Sequence, residues 1–96
     1  MKKSLLLAMI MSAVLSAADG SALFKKCAAC HGAAGEKQAL GKSKVINTMS
    51  PSEIETALNG YKDGTYGGTM KALMKGQAAP LSEEEIKAIA AYIGAK

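Results

Sequence analysis

Cys27-Ala28-Ala29-Cys30-His31 is the stretch on which the reading of this chain turns. Two thiols separated by two residues can reach two vinyl groups on neighbouring pyrroles of a porphyrin and fix it to the backbone as thioethers. The histidine directly after the second thiol then brings its imidazole beneath the iron. Other uses of the same spacing fit less well. A thioredoxin-like redox pair belongs at a strand-to-helix turn in a βαβ context, which this chain lacks. A structural zinc site takes four Cys or His ligands, and the sequence offers Cys27, Cys30 and His31 only. A plain disulfide would leave His31 without a role. The motif therefore predicts one covalently bound haem c, attached through Cys27 and Cys30, with His31 as an iron ligand.

The length of the chain makes such a group structurally necessary. Residues 1–18 read as a targeting segment: Lys2 and Lys3 are positive, and Leu5 to Leu15 is apolar and uncharged. That run suits a signal peptide and is too short to span a bilayer. Small residues Ser16, Ala17 and Ala18 follow, so cleavage is expected after Ala18, with Ala17 as the alternative. What remains, 19–96, is a single domain too short to bury a large core of its own. Small domains recruit a disulfide, a metal or a cofactor as a staple. With one Phe, three Tyr and no Trp in the whole sequence, large core-filling side chains are scarce, and a planar apolar cofactor fills that gap.

No stretch alternates apolar and polar residues long enough to make a strand, and the chain reads as helices joined by glycine-rich loops. Asp19 is a good N-cap for a first helix running through Leu23, Phe24 and Cys27 to the break at Cys30-His31-Gly32. A lysine-rich loop is expected from Gly32 to about Met49. Ser50, Pro51 and Glu53 then supply an N-cap, a proline at the first helical position and the far end of a capping box. Ile54, Ala57, Leu58 and Tyr61 share one face, and Asn59-Gly60 is the expected stop. A short helix follows from Thr69 to Lys75, ended by Gly76, and Pro80 closes the next turn. Ser82 and Glu85 open the last helix with a second capping box, Glu83 and Glu84 complement its dipole, and Ile86, Ile89, Ala90 and Ile93 form its buried stripe with Tyr92 beside it.

The sixth coordination position decides what a haem of this kind does. An open position binds small ligands, whereas a second protein ligand makes an electron carrier. There is no second histidine, and beyond the targeting segment the soft donors are Met49, Met70 and Met74. Methionine is also a common core filler, and Met70 and Met74 lie one turn apart on the same face. Periodicity alone leaves the choice open.

Asp19-Gly20 with Phe24, the haem motif, Gly60-Tyr61-Lys62-Asp63-Gly64-Thr65-Tyr66-Gly67-Gly68 and Ala72-Leu73-Met74 follow one another in the order seen in small monohaem class I cytochromes c. The chain resembles that family, and within it the bacterial cytochrome c-553 group, over essentially all of 19–96. The resemblance implies an all-α class I cytochrome c fold, about four short helices wrapped around one covalently bound haem. It implies that the axial methionine lies eight residues after the tyrosine of the Tyr-Gly-Gly run, which is Met74, with Met70 at a packing or surface position and Met49 least suited. It implies further that the first and last helices cross near the haem edge, using Gly20, Phe24 and Tyr92. One departure stands out. Many members orient the haem histidine through a proline carbonyl, and no proline occurs between His31 and Ser50. Another carbonyl, near Ala39 to Gly41, is expected to accept from His31.

The function implied is a periplasmic electron carrier with His31/Met74 ligation, not an enzyme, shuttling single electrons between respiratory redox enzymes. Its partners would be membrane-bound or periplasmic, such as a terminal cytochrome oxidase or a quinol–cytochrome c reductase. A monomer without stable membrane insertion is expected. Tyr61 and Tyr66 can donate to haem propionates or pack as wall residues, and the sequence leaves both readings open. Lys25, Lys26, Lys37, Lys42, Lys44, Lys62, Lys71 and Lys75 mostly fall in segments expected around the haem crevice, where a positive rim would steer an acidic partner. Nucleic acid is not expected, because the chain has no Arg for bidentate phosphate or base contacts. Two competing functions are a small-ligand sensor with an open sixth position and an exported thiol–disulfide enzyme.

Overall fold

The computed structural model describes residues 18–96, so the expected targeting segment lies outside the described residues except for Ala18. Five helical segments occur there: α1 (Gly20–Leu23), α2 (Lys25–His31), α3 (Pro51–Asp63), α4 (Lys71–Ala78) and α5 (Glu83–Ile93), with 3-10 turns at Ala39–Gly41 and Ile46–Thr48. No strand occurs among the described residues.

The helix starts are where side-chain chemistry places them. The Asp19 carboxylate accepts from the amides of Ser21 and Ala22. Ser50 and Glu53 form one capping box and Ser82 and Glu85 another, each hydroxyl accepting from the third helical amide while the glutamate returns to the cap amide. Three acidic residues, Glu83, Glu84 and Glu85, occupy the first turn of α5, where the helix dipole favours negative charge.

The helix ends depart from expectation in three places. The single first helix is divided at Phe24, where the Cys27 amide bonds to the Phe24 carbonyl at 2.8 Å, a three-residue closure that tightens the ladder around a side chain only 2 % exposed. α3 does not stop at Asn59-Gly60 but runs to Asp63 and ends on Gly64, which adopts the left-handed conformation at φ 84°. Gly60 serves closeness instead: a Cβ there would sit 2.5 Å from Tyr66 Cβ. α4 begins later than expected and passes through Gly76 to Ala78, because an exposed glycine weakens a helix without ending it.

α5 is the centre of the packing. Both α1 and α3 pack against it, and α4 lies against α3. The crossing with α1 is close, since a Cβ on Gly20 would stand 2.9 Å from both the Ala88 carbonyl carbon and Tyr92 Cβ. Phe24 meets Tyr92 with ring centroids 6.0 Å apart and planes tilted by 53°, so Gly20, Phe24 and Tyr92 act together as expected. The core is built from Phe24, Ile54, Leu81, Ile86, Ile89, Ala90 and Ile93, which includes the whole predicted stripe of α5. The Ala95 amide bonds to the Met49 carbonyl at 2.7 Å, tying the end of the chain to the entry of α3. Among the described residues no helix is long and apolar enough to cross a membrane.

Candidate functional site

A cavity of about 580 Å³ opens between these helices, and the residues singled out by their chemistry converge on it. Cys27, Cys30 and His31 stand at positions i, i+3 and i+4 of α2, so helical geometry alone puts both sulfurs and the imidazole on one face. All three line the cavity. Ile54, Ala57, Leu58 and Tyr61 line it from α3 by the same rule, Met70, Leu73, Met74 and Gln77 from α4, and Ile89 and Ile93 from α5. The walls are therefore mainly aliphatic and aromatic, which suits a flat apolar ligand.

His31 is 7 % exposed. Burial lowers its pKa below the ordinary histidine value, so at neutral pH the ring is uncharged and has a lone pair to offer a metal. Its Nδ1 is buried without a hydrogen-bond partner. The carbonyl expected to accept from it near Ala39 to Gly41 is not engaged. There the turn closes on itself, with the Ala39 carbonyl accepting from the Lys42 amide at 2.9 Å and the Gln38 carbonyl from the Gly41 amide at 3.1 Å. A buried polar atom with no protein partner is uncommon. The half-buried Cys27 thiol has its pKa raised, chiefly by burial, with Lys26 opposing and Cys30 adding to the effect. That is the reverse of the depressed thiol pKa on which thiol–disulfide enzymes depend, and no disulfide joins the two sulfurs.

All three candidate methionines line the cavity. Met49 is half-buried and packed against the hydrophobic core. Met70 caps the start of α4 and Met74 lies one turn inside, its amide bonded to the Met70 carbonyl at 3.1 Å. Tyr61 and Tyr66 meet edge to face, 5.1 Å apart at 86°, and form one wall. Burial, and next to it Tyr66, raises the Tyr61 phenol pKa, keeping that wall neutral. Of the lysines expected around the crevice, Lys26, Lys42 and Lys44 line it and the others do not. Leu40, 62 % exposed and held at φ 54°, is a lining residue that no pattern in the sequence announces. The only signal pointing there is the glycine-rich character of the loop itself.

The donor set fits an iron porphyrin: two thiols and a neutral imidazole on one helix face, three thioethers among the lining residues, and walls that are mainly aliphatic and aromatic. A helical shell arranged this way defines a small c-type haem protein. The sequence profile of the cytochrome c family matches residues 17–95. Cytochrome c-553 of Helicobacter pylori strain J99 is 52 % identical over 80 residues, covering 83 % of this chain and 80 % of that protein. Cytochrome c-553 of Nitratidesulfovibrio vulgaris is 47 % identical over 77 residues, covering 80 % and 76 %. The cytochrome subunit of sulfide dehydrogenase from Chlorobaculum tepidum is 39 % identical over 75 residues, covering 78 % of this chain and 64 % of that one. The chain belongs to the cytochrome c family, as a small class I monohaem member. It is an electron-carrying c-type cytochrome whose cofactor is covalently bound haem c, and Cys27 and Cys30 are consistent with the attachment motif.

Proposed function

We propose that this cytochrome is a periplasmic carrier that shuttles single electrons between respiratory redox enzymes, with thioethers from Cys27 and Cys30 and with His31 and Met74 as the axial ligands. The observation that carries the reading is the convergence of α2 and α4 on one apolar cavity, which brings the thiols, the imidazole and Met74 to the same space. The haem, when bound, supplies an iron that alternates between ferrous and ferric states. His31 contributes a neutral nitrogen donor from a buried position. Met74 contributes a soft sulfur that favours the ferrous state and raises the potential. Ile54, Leu58, Ile89 and Ile93 keep water from the cavity interior, which limits reorganisation when charge changes. Tyr61 and Tyr66 act as packed wall residues. No substrate is turned over in this reading.

Export rests on the sequence of residues 1–18, with Lys2 and Lys3 ahead of an uncharged apolar run and Ser16 and Ala18 at the small-residue positions of a cleavage site. The partners fitting that compartment are membrane-bound or periplasmic enzymes, a quinol–cytochrome c reductase on the donor side and a terminal oxidase on the acceptor side.

Ligation is tested by absorption spectroscopy of protein matured in a host with cytochrome c assembly machinery. The oxidised protein should show the near-infrared sulfur-to-iron charge-transfer band, and the reduced protein should bind carbon monoxide slowly or not at all. Met74→Ala should abolish the band and open the iron to carbon monoxide, while Met70→Ala leaves both unchanged. Retention of the band in Met74→Ala would remove Met74 from the ligand set and make Met70 the next choice. Rapid carbon monoxide binding by the unsubstituted protein would replace the carrier with a small-ligand sensor.

A further inference from the structure

Helix α4 brings Met70 and Met74 to the cavity and packs against α3, but its two ends are held differently. Its N-cap, Met70, makes no side-chain capping bond, and of the two glycines before it, Gly67 is closely approached by Tyr61 and Lys71, whereas a Cβ on Gly68 would meet nothing within 4 Å. The C-terminal end is different. The Leu81 amide bonds to the Ala78 carbonyl at 3.0 Å and the Ala79 amide to the Lys75 carbonyl at 2.9 Å. Position 80 is proline and has no amide hydrogen to give. The Gln77 carbonyl is thus passed over by the backbone donors that would ordinarily close the helix end. It is reached instead from across the cavity mouth, by the Lys26 ammonium at 3.2 Å. A lysine on the last carbonyls of a helix is favoured by the dipole as well as by the hydrogen bond. Lys26 immediately precedes Cys27, and both Lys26 and Gln77 line the cavity.

We propose that Lys26 is a positioning residue, a strap from the haem-attachment helix to the end of α4 that holds the methionine-bearing helix closed over the iron. The claim rests on the reading that a methionine of α4 is the sixth ligand, and it holds for either Met74 or Met70 because both ride on the helix being strapped. Lys26 touches neither iron nor porphyrin in this role. It acts by lowering the population of states in which α4 swings outward on the Gly67-Gly68 side and the sulfur leaves the metal. A second lysine, Lys62 on α3, donates to the Leu81 carbonyl just beyond the end of α4, and α4 itself packs against α3, so loss of Lys26 falls on the closure of α4.

The test is the rate at which cyanide or imidazole displaces the methionine from the ferric holoprotein, compared among Lys26→Gln, Lys26→Ala, Lys26→Arg and the neighbouring Lys25→Gln. Loss of a solvent-exposed charge-assisted hydrogen bond predicts ligand entry about three- to tenfold faster in Lys26→Gln and Lys26→Ala. Lys26→Arg should restore the original rate, and Lys25→Gln, which removes the same charge one residue away, should leave it unchanged. The near-infrared band should persist in every variant, since the sulfur remains bound at rest. A role in stability alone would lower the melting temperature without altering ligand entry below it. Equal entry rates in Lys26→Gln, Lys26→Ala and Lys25→Gln would overturn the strap. An unsubstituted protein with no sulfur-to-iron band would instead remove the ligation reading beneath it, so the two failures are separable.

Discussion

Gly60 and Gly76 both lie inside helices, and replacing each with alanine should move stability in opposite directions. Alanine in a helix interior is favoured over glycine by about 0.8–1 kcal/mol on propensity alone. At Gly76, on α4, nothing lies within 4 Å of the added methyl, so this gain is available in full. At Gly60, in the buried face of α3, the methyl would meet Tyr66 Cβ at 2.5 Å and Cγ at 3.4 Å. Cβ is the stiff base of that side chain, and rotation about χ1 does not move it away. Nor is the loop free to retreat, because the Gly60 carbonyl holds the amides of Thr65 and Tyr66 at 2.9 and 3.3 Å. Inserting a methyl into such a site costs about 1–3 kcal/mol, so the net effect of Gly60→Ala is a loss of up to about 2 kcal/mol after the propensity gain is credited. Thermal unfolding of the holoprotein reads this directly: about 1 kcal/mol moves the midpoint of a domain this size by about 4–8 °C. Gly76→Ala should melt a few degrees higher and Gly60→Ala lower, with altered Tyr66 environment in near-ultraviolet circular dichroism. A Gly60→Ala protein that melts as high as Gly76→Ala would refute the close approach of Tyr66 as the reason for glycine in α3.

Asp63 accepts from the Thr65 amide at 3.0 Å and its hydroxyl at 2.6 Å, and these bonds, the hydroxyl first, hold its carboxyl below the ordinary aspartate value of 3.8. A carboxyl with a lowered folded-state pKa stabilises the fold above its unfolded value and loses that contribution as pH falls through the folded value. The melting temperature of Asp63→Ala should therefore lie below that of the unsubstituted protein at neutral pH. The gap should close on acidification below the aspartate range, and a gap that widened there would contradict the assignment. The double variant Cys27→Ala, Cys30→Ala removes the covalent anchor of the group that occupies the centre of a small core, and it should show no cooperative melting transition in the absence of haem. A native-like transition in that variant would show that the helices pack without it.

What could be read from the sequence was local, and what could not was tertiary. Asp19, Ser50 and Ser82 announce helix starts because each caps amides within three residues, so the physics is complete within the stretch being read. The attachment motif is legible for the same reason, since its spacing becomes one helix face. Ile86, Ile89, Ala90 and Ile93 were identifiable as core because a stripe repeats at the helical period whatever packs against it. Gly60 and Gly76 were misread as stops because a glycine carries no local mark distinguishing a left-handed cap from a close approach or an open helix face. Gly64 does the capping, Gly60 admits Tyr66, and Gly76 merely adjoins solvent. The carbonyl expected to accept from His31 near Ala39 to Gly41 is not bonded to it, and Nδ1 has no partner; whether a turn aims a carbonyl at a distant ring is set by tertiary placement, which local sequence does not carry. The choice among methionines is the sharpest case. Met49, Met70 and Met74 all reach the cavity, so neither period nor proximity selects one. The long-range bonds near α4 are just as hidden: Lys26 reaches the Gln77 carbonyl at its end and Lys62 the Leu81 carbonyl beyond it, 51 and 19 residues away in sequence, contacts that no short-range pattern encodes.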